Sequence, residues 1–153
     1  MATTLDFNEA KNWLASQPEN TADTPYEIII TNAPADGYRS VISRFVNIVG
    51  MVMQEGVTSI GFNAFGDCSK LTSITIPEGV TSIGSGAFRG CSGLTSVTIP
   101  NSVTSIGQRA FGYCSGLKTI NYTGTEEQWN AISKGTDWNY ETSLNVIYNY
   151  KPE

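Results

Sequence analysis

The chain repeats itself with a fixed period, and that period constrains its fold more than any other feature. Gly56–Glu78, Gly79–Asn101 and Ser102–Gly124 are each 23 residues long; the first two agree at 16 of 23 positions and the last two at 11. The shared pattern is V-T-S-I-G-x-x-A-F-x-x-C-S-x-L, then T-S-I-T-I-P or a variant of it. A unit this short cannot bury an apolar face alone, so it must rest on copies of itself in a solenoid.

Each coil then has to supply a slice of one continuous core. Val57, Ile60, Ala64, Phe65, Cys68, Leu71, Ile74 and Ile76 are the core candidates of the first coil. The same columns recur as Val80, Ile83, Ala87, Phe88, Cys91, Leu94, Val97 and Ile99. They recur again as Val103, Ile106, Ala110, Phe111, Cys114, Leu117, Ile120 and Tyr122. Parallel rungs about 5 Å apart would stack the phenylalanines into a spine and the Thr-Ser pairs into a hydroxyl ladder. Gly61, Gly84 and Gly107 are expected at tight bends with positive φ. Pro77 and Pro100 stop the strand where no further ladder donor is wanted.

Counting by 23 carries this register toward the N-terminus. Leu71, Ile74 and Ile76 map onto Ile48, Met51 and Met53, and then onto Ile28 and Ile30. Tyr26–Thr31 and Ile48–Met53 are therefore expected as two further strands, which makes five rungs. Leu5–Gln17 reads as an amphipathic helix with Asp6 as its N-cap, and Tyr38–Val46 as a second helix. At the other end, Thr125 with Gln128 forms a capping-box signature for a short helix carrying Trp129 and Ile132. Ser133–Thr142 reads as loop, and Leu144–Tyr150 as a last strand with Val146 and Tyr148 inward. Trp129, Trp138, Tyr140, Tyr148 and Tyr150 are expected to cover the open end of the stack. The expectation is one domain over residues 1–153: an N-terminal cap (1–55) with two in-register strands, three repeats (56–124) and a C-terminal cap (125–153).

The repeat residues resemble the BspA-like, Treponema pallidum class of bacterial leucine-rich repeats. The carrying motif is L-T-S-I-T-I-P-x-x-V-T-S-I-G-x-x-A-F-x-x-C-S, from Leu71 through Ser92. The stretch from Tyr122 to Ile132 also looks like the terminal cap common in that family. The resemblance implies an α/β repeat solenoid: a right-handed leucine-rich-repeat coil with short parallel strands and a helical cap at each end. It also implies a bacterial cell-surface or secreted protein, adhesive in role, that binds host or cell-surface proteins. The first ten residues contain no basic or apolar leader pattern, so no signal peptide is expected within this chain and a cytoplasmic location stays open.

The chemistry-bearing residues are few. With no histidine in the chain, Ser-His-Asp and Cys-His catalysis and histidine-ligated zinc are excluded. Cys68, Cys91 and Cys114 occupy one column, so their side chains point the same way, which is poor disulfide geometry. They are read as buried thiols. No phosphate-loop or nucleophile-elbow pattern occurs, and no enzyme activity, metal or cofactor is expected. The formal net charge of −5 argues against a nucleic-acid partner, and no apolar run is long enough to span a membrane.

What remains for a partner is the outward row of the T-S-I-T-I strands: Ser73 and Thr75, Ser96 and Thr98, Thr119 and Asn121. Gly50, Val52, Glu27 and Ile29 would extend that face over the two earlier rungs. Such hydroxyls also suit any exposed strand. The variable turn positions Phe62, Asn63, Ser85, Gly86, Gln108 and Arg109 offer a second surface. Two further readings stay open: a spacer domain of a larger protein, and a carbohydrate site on Trp138 and Tyr140.

Overall fold

The computed structural model describes the backbone of residues 2–6, 26–31, 48–53 and 55–152, and the side chains of 53 and 55–152. The strands are β1 (Ala2–Asp6), β2 (Tyr26–Thr31), β3 (Ile48–Val52), β4 (Ser59–Ile60), β5 (Ser73–Thr75), β6 (Ser82–Ile83), β7 (Ser96–Ile99), β8 (Ser105–Ile106), β9 (Thr119–Tyr122), β10 (Ser133–Lys134) and β11 (Asn145–Ile147). Among the described residues the one helix is α1 (Glu126–Ala131), between β9 and β10. All pairing is parallel, in three sheets: β1-β2-β3, β10-β8-β6-β4 and β11-β9-β7-β5. The V-T-S-I strands build one long wall of the solenoid and the T-S-I-T-I strands the other.

The 23-residue register is visible in the pairing. Ile60 faces Ile83, which faces Ile106, and Ile74 faces Val97, which faces Ile120. Ile28 pairs with Met51, so a step of 23 also separates β2 from β3, with a register shift between Tyr26 and Glu27. All 24 core candidates of the three coils are buried. Phe65, Phe88 and Phe111 form the spine, with centroids 5.2 Å apart at each step and near-parallel rings. Threonine hydroxyls do climb the stack, but onto backbone: Thr81 and Thr104 each donate to the carbonyl of the threonine one coil earlier, at 3.2 Å.

Four expectations need correction. Leu5 and Asp6 lie in a strand, pairing with Ile30 and Thr31, so the segment begins with a further rung rather than a helix capped by Asp6. The remainder of Leu5–Gln17, and the helix expected over Tyr38–Val46, lie outside the described residues, so the helical N-terminal cap is not seen. The hydrogen-bonded face is also not five strands wide. β3 lies beside β5, yet no pairing joins their sheets among the described residues.

The third correction concerns the glycines. Gly61, Gly84 and Gly107 are absent from the positive-φ residues; what Gly84 and Gly107 satisfy is close stacking. A Cβ on Gly84 would stand 2.8 Å from the carbonyl carbon of Gly61, and one on Gly107 2.7 Å from that of Gly84. The left-handed residues fall elsewhere, eight of them in two columns: Asn63, Gly86, Arg109 and Asp137, then Asp67, Gly90, Tyr113 and Glu141, with Gly56, Gly79 and Asn149 outside those columns.

Those columns expose the fourth correction, because Ser133–Thr142 is a coil and not a loop. Ser133 and Lys134 pair with Ser105 and Ile106, a step of 28 residues instead of 23. At the same step, Gly135 donates to the Ile106 carbonyl as Gly107 does to Ile83. Phe111 donates to Trp138 as Phe88 does to Ala110, and Tyr113 to Tyr140 as Gly90 does to Gly112. The five extra residues accommodate α1. Its capping box is complete: the Gln128 amide donates to the Thr125 hydroxyl at 3.1 Å, and the Thr125 amide to Gln128 Oε1 at 2.8 Å. Trp129 is buried against Tyr122 and Trp138, and Trp138 meets Phe111 edge-on at 6.3 Å. Val146 and Tyr148 pack inward as expected.

Candidate interaction surface

Strand alternation turns every second side chain away from the core, and pairing aligns those side chains into two rows. One row is Ser73, Ser96, Thr119 and Asn145; the other is Thr75, Thr98, Asn121 and Ile147. All eight are uncharged. Their accessibility is uneven. Ser73 and Thr75 are exposed, Ser96, Thr119 and Asn121 are half-buried, and Thr98 is only 9% exposed. Thr98 therefore belongs to the floor of the face rather than its contact layer, because its neighbours Thr75 and Asn121 shield it on both sides. The alternation that places Val146 inward also leaves Ile147 on this face, 44% exposed. Ile147 was missed in the sequence because it lies outside the recognisable motif.

The variable turn positions form a separate surface. Phe62 is 72% exposed. Farther along, Arg89 lies over the Tyr113 ring at 5.0 Å and Arg109 over Tyr140 at 5.7 Å, with the two tyrosines 5.2 Å apart at 65°. Arg109 reaches Asp137 at 3.9 Å, and its Nε is buried without a hydrogen-bond partner. Arg109 and Tyr113 both hold positive φ, a cost of about 1–2 kcal/mol for a residue with a side chain. Tyr140 thus has a guanidinium over its ring, while Trp138 is taken up between Phe111 and Trp129. The two aromatics proposed for a sugar do not share a free face.

The thiol column is internal. Cys91 Sγ donates to the Phe65 carbonyl and Cys114 Sγ to that of Phe88, both at 3.0 Å. In the fourth coil Thr142 stands in the same column, and its hydroxyl donates to the Phe111 carbonyl at 3.0 Å. Cys91 and Cys114 are thus more than small hydrophobes, since each pairs a carbonyl of the coil before it. Burial pushes the Cys114 thiol up to about 12. Burial, then the neighbouring thiols Cys68 and Cys114, also hold Cys91 well above the usual thiol range. Neither is a ready nucleophile. Among the described residues no helix is long and apolar enough to cross a membrane.

A parallel solenoid with a short-strand wall, an aromatic spine and a polar strand face defines a scaffold of the leucine-rich-repeat class. The chain belongs to the BspA type leucine-rich repeat family, whose repeat region matches residues 42–149 in six copies. The match includes the fourth coil. A leucine-rich cell surface protein from Faecalibacterium prausnitzii is similar in structure, with a TM-score of 0.61 and 31% identity over 71% of this chain. The leucine-rich repeat protein of T. pallidum gives a TM-score of 0.54 and 26% identity over 71%. The chain spans 29% and 44% of the length of those two structures. No curated protein matches it.

Proposed function

We propose that this chain is a single, non-enzymatic protein–protein interaction domain that offers the β5-β7-β9-β11 face to a protein partner at the cell surface, in an adhesive role. The observation that carries the reading is the pair of aligned rows in which no charged side chain stands. A repeat scaffold commonly uses such a face for partners, and here the repeated residues behind it are occupied with packing. Contact is expected through Ser73, Thr75, Ser96, Thr119 and Asn121, with Thr98 supporting them from below and Ile147 as an apolar anchor. The Faecalibacterium protein, described as a cell surface protein, supports the location.

The test is binding to immobilised extracellular-matrix proteins and to intact cells by the wild type and by Thr75→Lys and Asn121→Lys. These positions accept a long side chain with less cost to folding than Thr98. The reading predicts at least a tenfold loss of affinity, since an unpaired charge in a neutral contact costs more than 1.4 kcal/mol. Binding that survives both substitutions would remove this face from the account. A complete lack of binding by the wild type would remove the adhesive role.

A further inference from the structure

Four side chains of the turn ridge form a cluster outside the core. Arg89 of the second coil lies over Tyr113 of the third at 5.0 Å, and Arg109 of the third over Tyr140 of the fourth at 5.7 Å. The two rings meet at 5.2 Å and 65°, so two cations share one aromatic pair. A guanidinium laid on a ring uses one face for the contact and keeps its N–H edge for hydrogen bonds. The two heads differ in what that edge meets. Arg109 has the Asp137 carboxylate 3.9 Å away. Arg89 is exposed, and among the described residues no carboxylate lies within ion-pair reach of it.

Arg89 thus carries a charge with no counter-charge, on a side chain already held in place. An exposed arginine normally gives up rotamer freedom when it binds; the Tyr113 ring restricts Arg89 beforehand. The planar fork suits a carboxylate, whose two oxygens accept two parallel N–H bonds. The surroundings limit what can carry that carboxylate. Asp67 and Glu141 stand in the Tyr113 column and are exposed, and the chain as a whole carries a formal net charge of −5. A densely charged polyanion would meet repulsion along such a ridge. A flexible peptide with spaced acidic residues can place one carboxylate on Arg89 and turn the rest of its length away.

We propose that Arg89, seated on Tyr113, is a docking point for a carboxylate in an acidic segment of a protein partner. Arg109, paired with Asp137, lies on Tyr140 and so steadies the ring against which Tyr113 rests. The docking point is on the turn ridge, apart from the β5-β7-β9-β11 face, and binding there does not depend on that face.

The experiment is a two-dimensional NMR titration of the full chain at low salt, reading the arginine Nε–H and backbone amide signals. The probe is acetyl-Gly-Glu-Gly-Glu-Gly-amide, with its glutamine counterpart as the neutral control. Saturable shifts are expected at Arg89 and Tyr113 with the glutamate peptide, and none with the glutamine peptide. Arg89→Gln should abolish the response at Tyr113. Arg89→Lys keeps the charge but loses the fork, and should weaken binding by about threefold. Lys118→Gln removes an exposed cation beside β9 and should change the affinity by less than about twofold. The amide spectrum establishes that each variant is folded. The proposal is overturned by a lack of saturable shifts at Arg89, by an equal response to the glutamine peptide, or by an equal loss on Lys118→Gln. Arg89→Lys that binds as well as wild type would also overturn it, as would tighter binding of a heparin tetrasaccharide than of the glutamate peptide.

Discussion

The coils of Gly56–Gly124 and the coil that follows them share a backbone path but little sequence. In the first three, most core columns repeat the same residue and the motif announces itself. In the fourth, a helix is inserted, Trp138 and Thr142 replace repeat residues, and the step lengthens from 23 to 28. What persists is a short set of demands. Two residues must hold positive φ, a glycine must lie where one coil crosses closely over the last, and a donor must reach the carbonyl of the preceding phenylalanine. Asp137 and Glu141, Gly135, and Thr142 meet them in turn. The coil is therefore specified by what its neighbour requires, and the 23-residue motif is one way of meeting those requirements.

The largest effect that would sharpen this comparison is in the spine. Phe88 is stacked on both faces, so Phe88→Ala should cost about 4 kcal/mol in urea unfolding, by the usual range for buried aromatics. Trp138 has one side half-exposed, and Trp138→Ala should cost about half as much by the same reckoning. Equal losses would mean that the fourth coil is packed as tightly as the repeats.

A second contrast is in alkali. The folded Cys114 thiol titrates near 12, above its unfolded value, so the unfolded state loses its proton first. Stability from this group is intact below pH 9 and declines by about 1.4 kcal/mol per pH unit from there to pH 12. Thr142 in the fourth coil carries no such sensitivity. Cys114→Thr should remove this one thiol's share of the alkaline slope, Cys91 keeping its own, while keeping a donor for the Phe88 carbonyl. A slope unchanged by the substitution would contradict the assignment.

A smaller effect should be common to both regions. A Cβ on Gly107 or Gly135 would press into the backbone of the coil before it. Gly107→Ala and Gly135→Ala should each lower stability by about 2 kcal/mol, within the range for overpacking. A neutral Gly135→Ala would show that the fourth coil rides loosely on the third.

Sequence reading reached the core because packing is what the repeat encodes. All 24 columnar candidates are buried, the phenylalanine spine forms, and Thr125–Gln128 caps α1. It failed where a residue's role is set by backbone geometry across coils. Gly84 looked like a turn residue because glycine permits positive φ, yet it serves contact with Gly61. Arg109 and Tyr113 take the left-handed conformation that their side chains would argue against. The fourth coil was hidden because its step is longer and its motif has been replaced. On the strand face, alternation located the rows, while the depth that sinks Thr98 and the exposure of Ile147 depend on neighbours that the sequence does not rank.

The most direct test of the central claim is amide hydrogen exchange at Phe88 and Phe111. Phe88 donates to Ala110 of the third repeat and Phe111 to Trp138 of the fourth coil, both at 2.8 Å. If the fourth coil is part of the array, the two amides open with it cooperatively, and their protection should agree within about tenfold. Exchange at Phe111 faster than at Phe88 by roughly a thousandfold or more, as for an amide beneath a fraying loop, would contradict it.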